Sequence, residues 1–140
     1  MISLVIGGVP EHFNLPWRLL IEAGEPARSG LDVRWQDFPD GSGAMVAALR
    51  EQRLDVAMLL TEGAVAGVAG GGLKIVSLFT ESPLIWGIHV PSASGLQTIN
   101  DIRGTRYAIS RRGSGSHLMS FVHARDRGWP PAGIEFVVVR

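Results

Sequence analysis

The chain has 140 residues, the length of one domain, and a hydrophobic content of 46% that is enough for a sizeable core. Its 13 basic and 13 acidic residues cancel, which leaves no basic bias of the kind that nucleic acid or an anionic membrane surface selects. The absence of cysteine excludes disulfides, thiolate metal sites and cysteine nucleophiles, and no segment approaches the roughly 18 apolar residues of a membrane span.

Ile2 to Ile6 is apolar almost throughout and reads as a buried parallel strand. Met1 enters it without a charged leader, so the expected protein is either cytoplasmic or one whose signal peptide was removed and a start Met added. Gly7 to Phe13 is the loop that follows. Asn14 is placed to cap a helix with Pro16 in its first turn, Trp17, Leu20 and Ile21 on one face, and Gly24 at its end. Leu31 to Phe38 alternates as a second strand and stops at Pro39-Asp40-Gly41-Ser42-Gly43. A helix then carries Met45, Val46 and Leu49 inside and Arg50, Glu51 and Arg53 outside. Asp55 to Leu60 is a third strand. Thr61-Glu62-Gly63 opens a weak helix of Ala, Val and Gly that ends in Gly70-Gly71-Gly72, and Lys74 to Phe79 is a fourth strand.

This β-α-β-α-β-α-β order predicts a parallel sheet with right-handed crossovers, whose ligands bind beyond the carboxyl ends of the strands. Pro83 to Val90 reads as another strand. It follows after too few residues for a helical crossover, so the chain changes direction or sheet there. Thr98 to Ile102 is a helical turn, Arg106 to Ser110 a strand, Leu118 to Arg125 a helix closed by Gly128-Trp129-Pro130, and Ile134 to Val139 a last strand.

Between the strand ending at Ser110 and the helix of Leu118 lies Arg111-Arg112-Gly113-Ser114-Gly115-Ser116-His117. A helix starting at Ser114 or Ser116 aims free N–H groups and a partial positive charge at this loop. With Arg111, Ser114, Ser116 and His117 as further donors, it is a seat for a small anionic or polar ligand. Read locally, the same residues also make an ordinary Ser N-cap after a Gly-rich turn.

Five stretches in order resemble a known family. They are Gly7-Gly8-Val9-Pro10; Leu31-Asp32-Val33 leading to Gly41-Ser42-Gly43; Leu54-Asp55-Val56-Ala57; Ser82-Pro83-Leu84-Ile85-Trp86; and Ile99-Asn100-Asp101-Ile102-Arg103-Gly104 before Tyr107-Ala108-Ile109-Ser110. Together they resemble the type II periplasmic-binding-protein-like solute-binding proteins, in the branch with the thiamine-pyrimidine, taurine, nitrate and alkanesulfonate binders of ABC importers. The resemblance implies an α/β fold of two lobes around a ligand cleft, with lobe one over residues 1–82 and the crossover and first part of lobe two over residues 83–140. Such proteins run to about twice this length. The expectation is therefore an incomplete second lobe, from truncation, a broken reading frame or a chain that completes itself as a dimer.

Carried over by position, the resemblance implies ligand-facing residues Val9, Pro10, Glu11, His12 and Phe13; Asp40, Gly41, Ser42 and Gly43; Thr61 and Glu62; Trp86; and Ser110, Arg111, Ser114, Gly115, Ser116 and His117. These loops coincide with the strand ends derived above. Arg111 is the better anion clamp of the two arginines, because its neighbour Arg112 falls where relatives carry an aromatic; an Arg fork matches carboxylate, sulfonate or phosphate. Glu11 and His12 contact ligand or face solvent, Trp86 stacks on a flat ligand or packs in the hinge, and His117 donates to ligand or packs on its loop. Trp17 and Trp35 read as core, His89 and His123 as structural. The four histidines lack metal-ligand spacing, so neither a metal nor a cofactor is expected.

Three functions follow in order. The first is a solute-binding component that closes on a small polar, anionic or heterocyclic molecule and passes it to an ABC permease. The second is a cytoplasmic enzyme on the same fold, as in pyrimidine or menaquinone biosynthesis, for which Glu11, His12, Glu62 and His117 are the candidate acid–base groups without motif spacing. The third is an effector-sensing domain, for which the chain carries no helix-turn-helix.

Overall fold

The computed structural model describes residues 1–139. β1 (Ile2–Gly8) is the central strand of a three-stranded parallel sheet, flanked by β2 (Leu31–Asp37) and β3 (Val56–Ala57). Its central position accounts for its nearly unbroken apolar run, since a parallel strand is covered on both faces. Ile2 lies opposite Leu31 and Gly8 opposite Asp37, while Ile6 lies opposite Val56. Burial rises along β1, from exposed Ile2 to buried Ile6, Gly7 and Gly8. The packed end of the sheet is therefore the carboxyl end, where the loops to the helices emerge.

α1 (Leu15–Glu22) and the single turn α2 (Glu25–Arg28) connect β1 to β2, and α3 (Gly41–Arg50) connects β2 to β3. α3 drives Met45 and Ala48 into a core with Phe38 and Leu54. Of the expected inward face Met45 is buried while Val46 and Leu49 are half-buried, Ala48 takes the second core position, and Glu51 and Arg53 fall beyond the end of the helix. Arg18 of α1 pairs with Asp37 at the end of β2, and the Trp35 indole N–H donates to the same carboxylate at 2.9 Å. Those two donors hold the Asp37 carboxyl below the usual carboxylate range. α4 (Thr61–Ala69) lies on α3 through small residues, with Gly67 against Val46.

β4 (Arg106–Ile109) and β5 (Glu135–Val138) form a second, parallel pair, connected by α5 (Gly115–Asp126). Its interior is Ile102, Ile109 and Ala124, beside an aromatic cluster in which His117, Phe121 and Phe136 meet edge to face at 4.7–5.3 Å. A 3₁₀ turn, Ile99–Ile102, leads into β4. Asp101 starts it by accepting the N–H groups of Thr98 at 2.7 Å and Gln97 at 2.9 Å, which lowers its carboxyl pKa. Among the described residues no helix is long and apolar enough to cross a membrane.

Three expectations are corrected. Lys74 to Phe79 and Pro83 to Val90 form no strand and join no ladder, and no backbone–backbone hydrogen bond between described residues involves Leu73–Val90. Apolar, β-branched sequence favours extension, but a strand also needs a neighbour in register. The first sheet ends at β3, only two residues of which pair with β1. The third strand is accordingly shorter than the apolar run of Asp55 to Leu60. Asn14 does not cap α1. Its side chain turns inward, and Nδ2 donates to the Val9 carbonyl at 2.8 Å.

Candidate functional site

The loop after β1 is held by its own residues. The Asn14 amide clamps the Val9 carbonyl, and the Asn14 backbone N–H donates to Glu11 at 3.0 Å. Val9, Glu11 and Phe13 face a cavity of about 320 Å³. α3 contributes Gly41, Ser42 and Met45 to the same space, the end of the third strand run contributes Met58 and Leu60, and Trp86 closes one side. From the second sheet come Ser110, Arg111, Ser114, Gly115 and Ser116. The carboxyl ends of four strands from two sheets, β1 to β4, thus converge on one hollow, the place where open parallel sheets bind ligands. A wider hollow of about 610 Å³ lies over the uncovered face of β4 and β5, at Thr105, Arg106, Ala108, Glu135 and Val137. It is a bare sheet face rather than a meeting of loops.

The loop between β4 and α5 is stitched from within. Ser114 is the N-cap of α5, its hydroxyl accepting the His117 N–H at 3.4 Å and donating to the Arg111 carbonyl at 2.7 Å. Ser116 Oγ lies 3.0 Å from Ser114 Oγ and accepts the Ser110 N–H at 3.3 Å. Ser114 is thus the helix cap expected of a hydroxyl after a Gly-rich turn, and both Ser114 and Ser116 line the cavity. His117 turns its ring onto Phe121 and Phe136, and its Nδ1 accepts the Gly113 N–H at 3.0 Å. Burial, reinforced by the nearby Arg112 charge, lowers its pKa below the ordinary histidine value.

Arg111 reaches from this loop onto the start of α3. Gly41 adopts φ +69°, and a Cβ there would collide with the guanidinium. Arg111 Nε is buried without a hydrogen-bond partner, and among the described residues Arg111 forms no ion pair. Asp40, at the N-cap of α3, makes no side-chain cap bond, and the first turn holds no acidic residue. A cation therefore stands at the positive end of an uncapped helix. The opposite arrangement occurs alongside. Glu62, in the first turn of α4, places Oε1 against Gly115, the first residue of α5, where a Cβ would also come within 3.0 Å of the Trp86 ring. Glu62 Oε1 has no hydrogen-bond partner either.

Of the other expected residues, Pro10 and His12 are exposed, with the His12 ring against Phe13. Asp40 and Thr61 are exposed at the starts of α3 and α4, and Gly43 faces the Arg112–Gly113 backbone. No hydrogen bond joins any two of Glu11, His12, Glu62 and His117 among the described residues. Trp17 and Trp35 are half-buried. The residues not foreseen at the cavity are Met45, Met58 and Leu60. Met58 and Leu60 carry a usable signal, since they close the third strand run at its carboxyl end. Met45 reads only as a core residue of its helix.

Parallel sheets joined through crossover helices, with a cavity where their carboxyl ends face each other, define the periplasmic binding protein fold. A solved structure similar to this chain is the conserved Candida albicans CA3427 gene product, described as defining a new family of proteins with the generic periplasmic binding protein fold; the TM-score is 0.80 and the identity 29%. The match covers 99% of this chain and 45% of that one, so the chain spans less than half of that neighbour's length. No protein-family model and no curated protein matches the chain.

Proposed function

We propose that the protein binds a small anionic solute between two lobes, one formed by residues 1–82 and the other beginning at Pro83, and that it serves as the solute-binding component of an ABC-type importer. The carrying observation is Arg111. Its guanidinium is partly buried, its Nε is unpartnered, and it lies on Gly41 at the uncapped N-terminus of α3, beside the cavity. Two sources of positive potential at close range repel each other, an anion in the cavity beside both offsets that repulsion, and buried donors without acceptors are costly. A carboxylate, sulfonate or phosphate supplies acceptors to both. Ser42 and Ser110 line the same space, and Met45, Met58, Leu60 and Trp86 give it an apolar wall for the body of the solute. Because the lining comes from both sides, a bound solute favours the state in which they meet, which is the population shift an importer reads.

Calorimetric titration with a panel of small carboxylates, sulfonates and phosphate esters tests this reading. One class should bind with negative enthalpy. Arg111→Met should weaken that binding at least about 10-fold, the scale of a charge-assisted hydrogen bond, and Arg111→Lys should recover part of it. Equal affinity in wild type and Arg111→Met for every ligand that binds would remove Arg111 from the site.

A further inference from the structure

The two helix starts that open on the cavity carry opposite charges. At α3 the Arg111 guanidinium lies on Gly41, and the first turn holds no acidic residue. At α5 the Glu62 carboxylate lies on Gly115. Glu62 is brought there by α4, whose first turn is pressed between the other two helices. Gly63 sits against Ser42 of α3, where a Cβ would come within 2.8 Å of the serine side chain, and Glu62 reaches the other way. Gly115 is buried and lines the cavity with Ser114 and Ser116. Glu62 Oε1 is enclosed within the described residues, so this contact stands whatever else packs around them. It accepts no hydrogen bond and therefore acts through its charge.

A helix start carries roughly half a positive charge. With the Arg111 cation added, the α3 end of the cavity is positive by about one and a half charges, whereas the Glu62 carboxylate turns the α5 end negative by about half a charge. By residue order the α5 start is the more obvious anion seat. It follows a Gly/Ser loop, has no acidic residue in its own first turn, and gives only the His117 N–H to its Ser114 cap. The structure fills that seat with a carboxylate of its own. Glu11, the other acid on the cavity wall, is exposed, and solvent screens it. The cavity of about 320 Å³ has the volume of about ten waters. It admits a short dicarboxylate as readily as a monocarboxylate, so size does not separate the two and charge does. A second carboxylate held a few ångströms from Glu62 is repelled strongly enough to lose about 10-fold or more in affinity.

We infer that Glu62 is a selectivity residue: it occupies the α5 helix start as a built-in anion, so that the cavity takes a solute negative at one end, beside Arg111 and α3, and discriminates against solutes negative at both ends. The inference rests on the anion-binding reading above for where the solute's charge sits. Calorimetric titration compares straight-chain monocarboxylates with the dicarboxylates of the same length. In wild type the dicarboxylates should bind at least about 10-fold more weakly. Glu62→Gln, which keeps the shape and removes the charge, should raise dicarboxylate affinity at least about 10-fold and monocarboxylate affinity less than about 3-fold. Glu51→Gln removes the same charge at the far end of α3 and should leave both affinities unchanged. Glu62→Ala vacates the α5 start. Millimolar inorganic phosphate, against chloride of equal ionic strength, should raise its unfolding midpoint by more than that of wild type. The phosphate comparison needs no solute at Arg111, so it separates the two readings: monocarboxylate binding that survives Arg111→Met removes Arg111 from the site, while a phosphate response confined to Glu62→Ala still supports Glu62 as the occupant of α5. Dicarboxylates bound by wild type as tightly as monocarboxylates, a selectivity unmoved by Glu62→Gln, or equal phosphate responses in wild type and Glu62→Ala would each overturn the inference.

Discussion

The Arg111 guanidinium covers Gly41, the first residue of α3, at a distance that only a residue without a Cβ permits. Gly41 is also held at φ +69°, in the left-handed region. The two properties reinforce each other: the tight turn from Phe38, closed by the Gly41 N–H to the Phe38 carbonyl at 2.9 Å, leaves the α3 N-terminus open, and Arg111 occupies the opening. Glu62 against Gly115 repeats the relationship in the other direction. Each of the two sheets sends a charged side chain onto a glycine at a helix start belonging to the other.

Gly41→Ala tests this contact. The left-handed conformation costs a non-glycine residue about 1–2 kcal/mol, and the added methyl must also displace Arg111. Denaturant unfolding should show a loss of at least about 1 kcal/mol. Anion affinity should fall in the same variant, because the clamp has moved. Gly104→Ala gives the comparison, since Gly104 has φ +76° and nothing near its missing Cβ. It should lose similar stability and keep its affinity.

Met45 connects the core to the cavity. Its side chain is 1% exposed within the Phe38, Ala48 and Leu54 cluster, yet it also forms part of the cavity wall. Met45→Ala should cost about 2–5 kcal/mol in thermal or chemical unfolding. Met45→Leu, which nearly conserves volume, should cost less than about 1.5 kcal/mol. A Met45→Ala protein as stable as wild type would show that the cluster collapses to fill the space.

His117 predicts an acid-sensitive second sheet. Burial among Phe121 and Phe136, and the nearby Arg112, favour the neutral ring, and its Nδ1 accepts the Gly113 N–H only when unprotonated. With the folded pKa below the unfolded value of about 6.5, the unfolded chain binds the extra proton. The contribution is therefore complete above about pH 6.5 and is lost as pH falls through the folded pKa. Unfolding midpoints measured from pH 7.5 to 5 should decline, and His117→Gln should flatten the decline across that window.

Much of this arrangement is legible from residue order alone. The apolar run of Ile2 to Ile6, the alternation of Leu31 to Asp37, and the periodicity around Met45 encode their own local structure, because burial on one or both faces leaves a period in the sequence. The loops that line the cavity follow from the same reading, since a parallel α/β order places ligand loops at strand carboxyl ends. Ser114 as a helix cap is likewise a local property of a hydroxyl before a helix.

What residue order could not decide is whether an extended segment finds a neighbour. Lys74 to Phe79 and Pro83 to Val90 have strand composition and no ladder, because pairing depends on an edge supplied from elsewhere. Nor did it show that Asn14 turns inward to Val9 instead of capping α1, or that Met45 serves both core and cavity. The contacts of Arg111 with Gly41 and of Glu62 with Gly115 join residues 70 and 53 positions apart in the chain. Periodicity reports which face of an element is buried, whereas a cross-sheet contact is set by how two packed bodies meet, and only the tertiary structure holds that information.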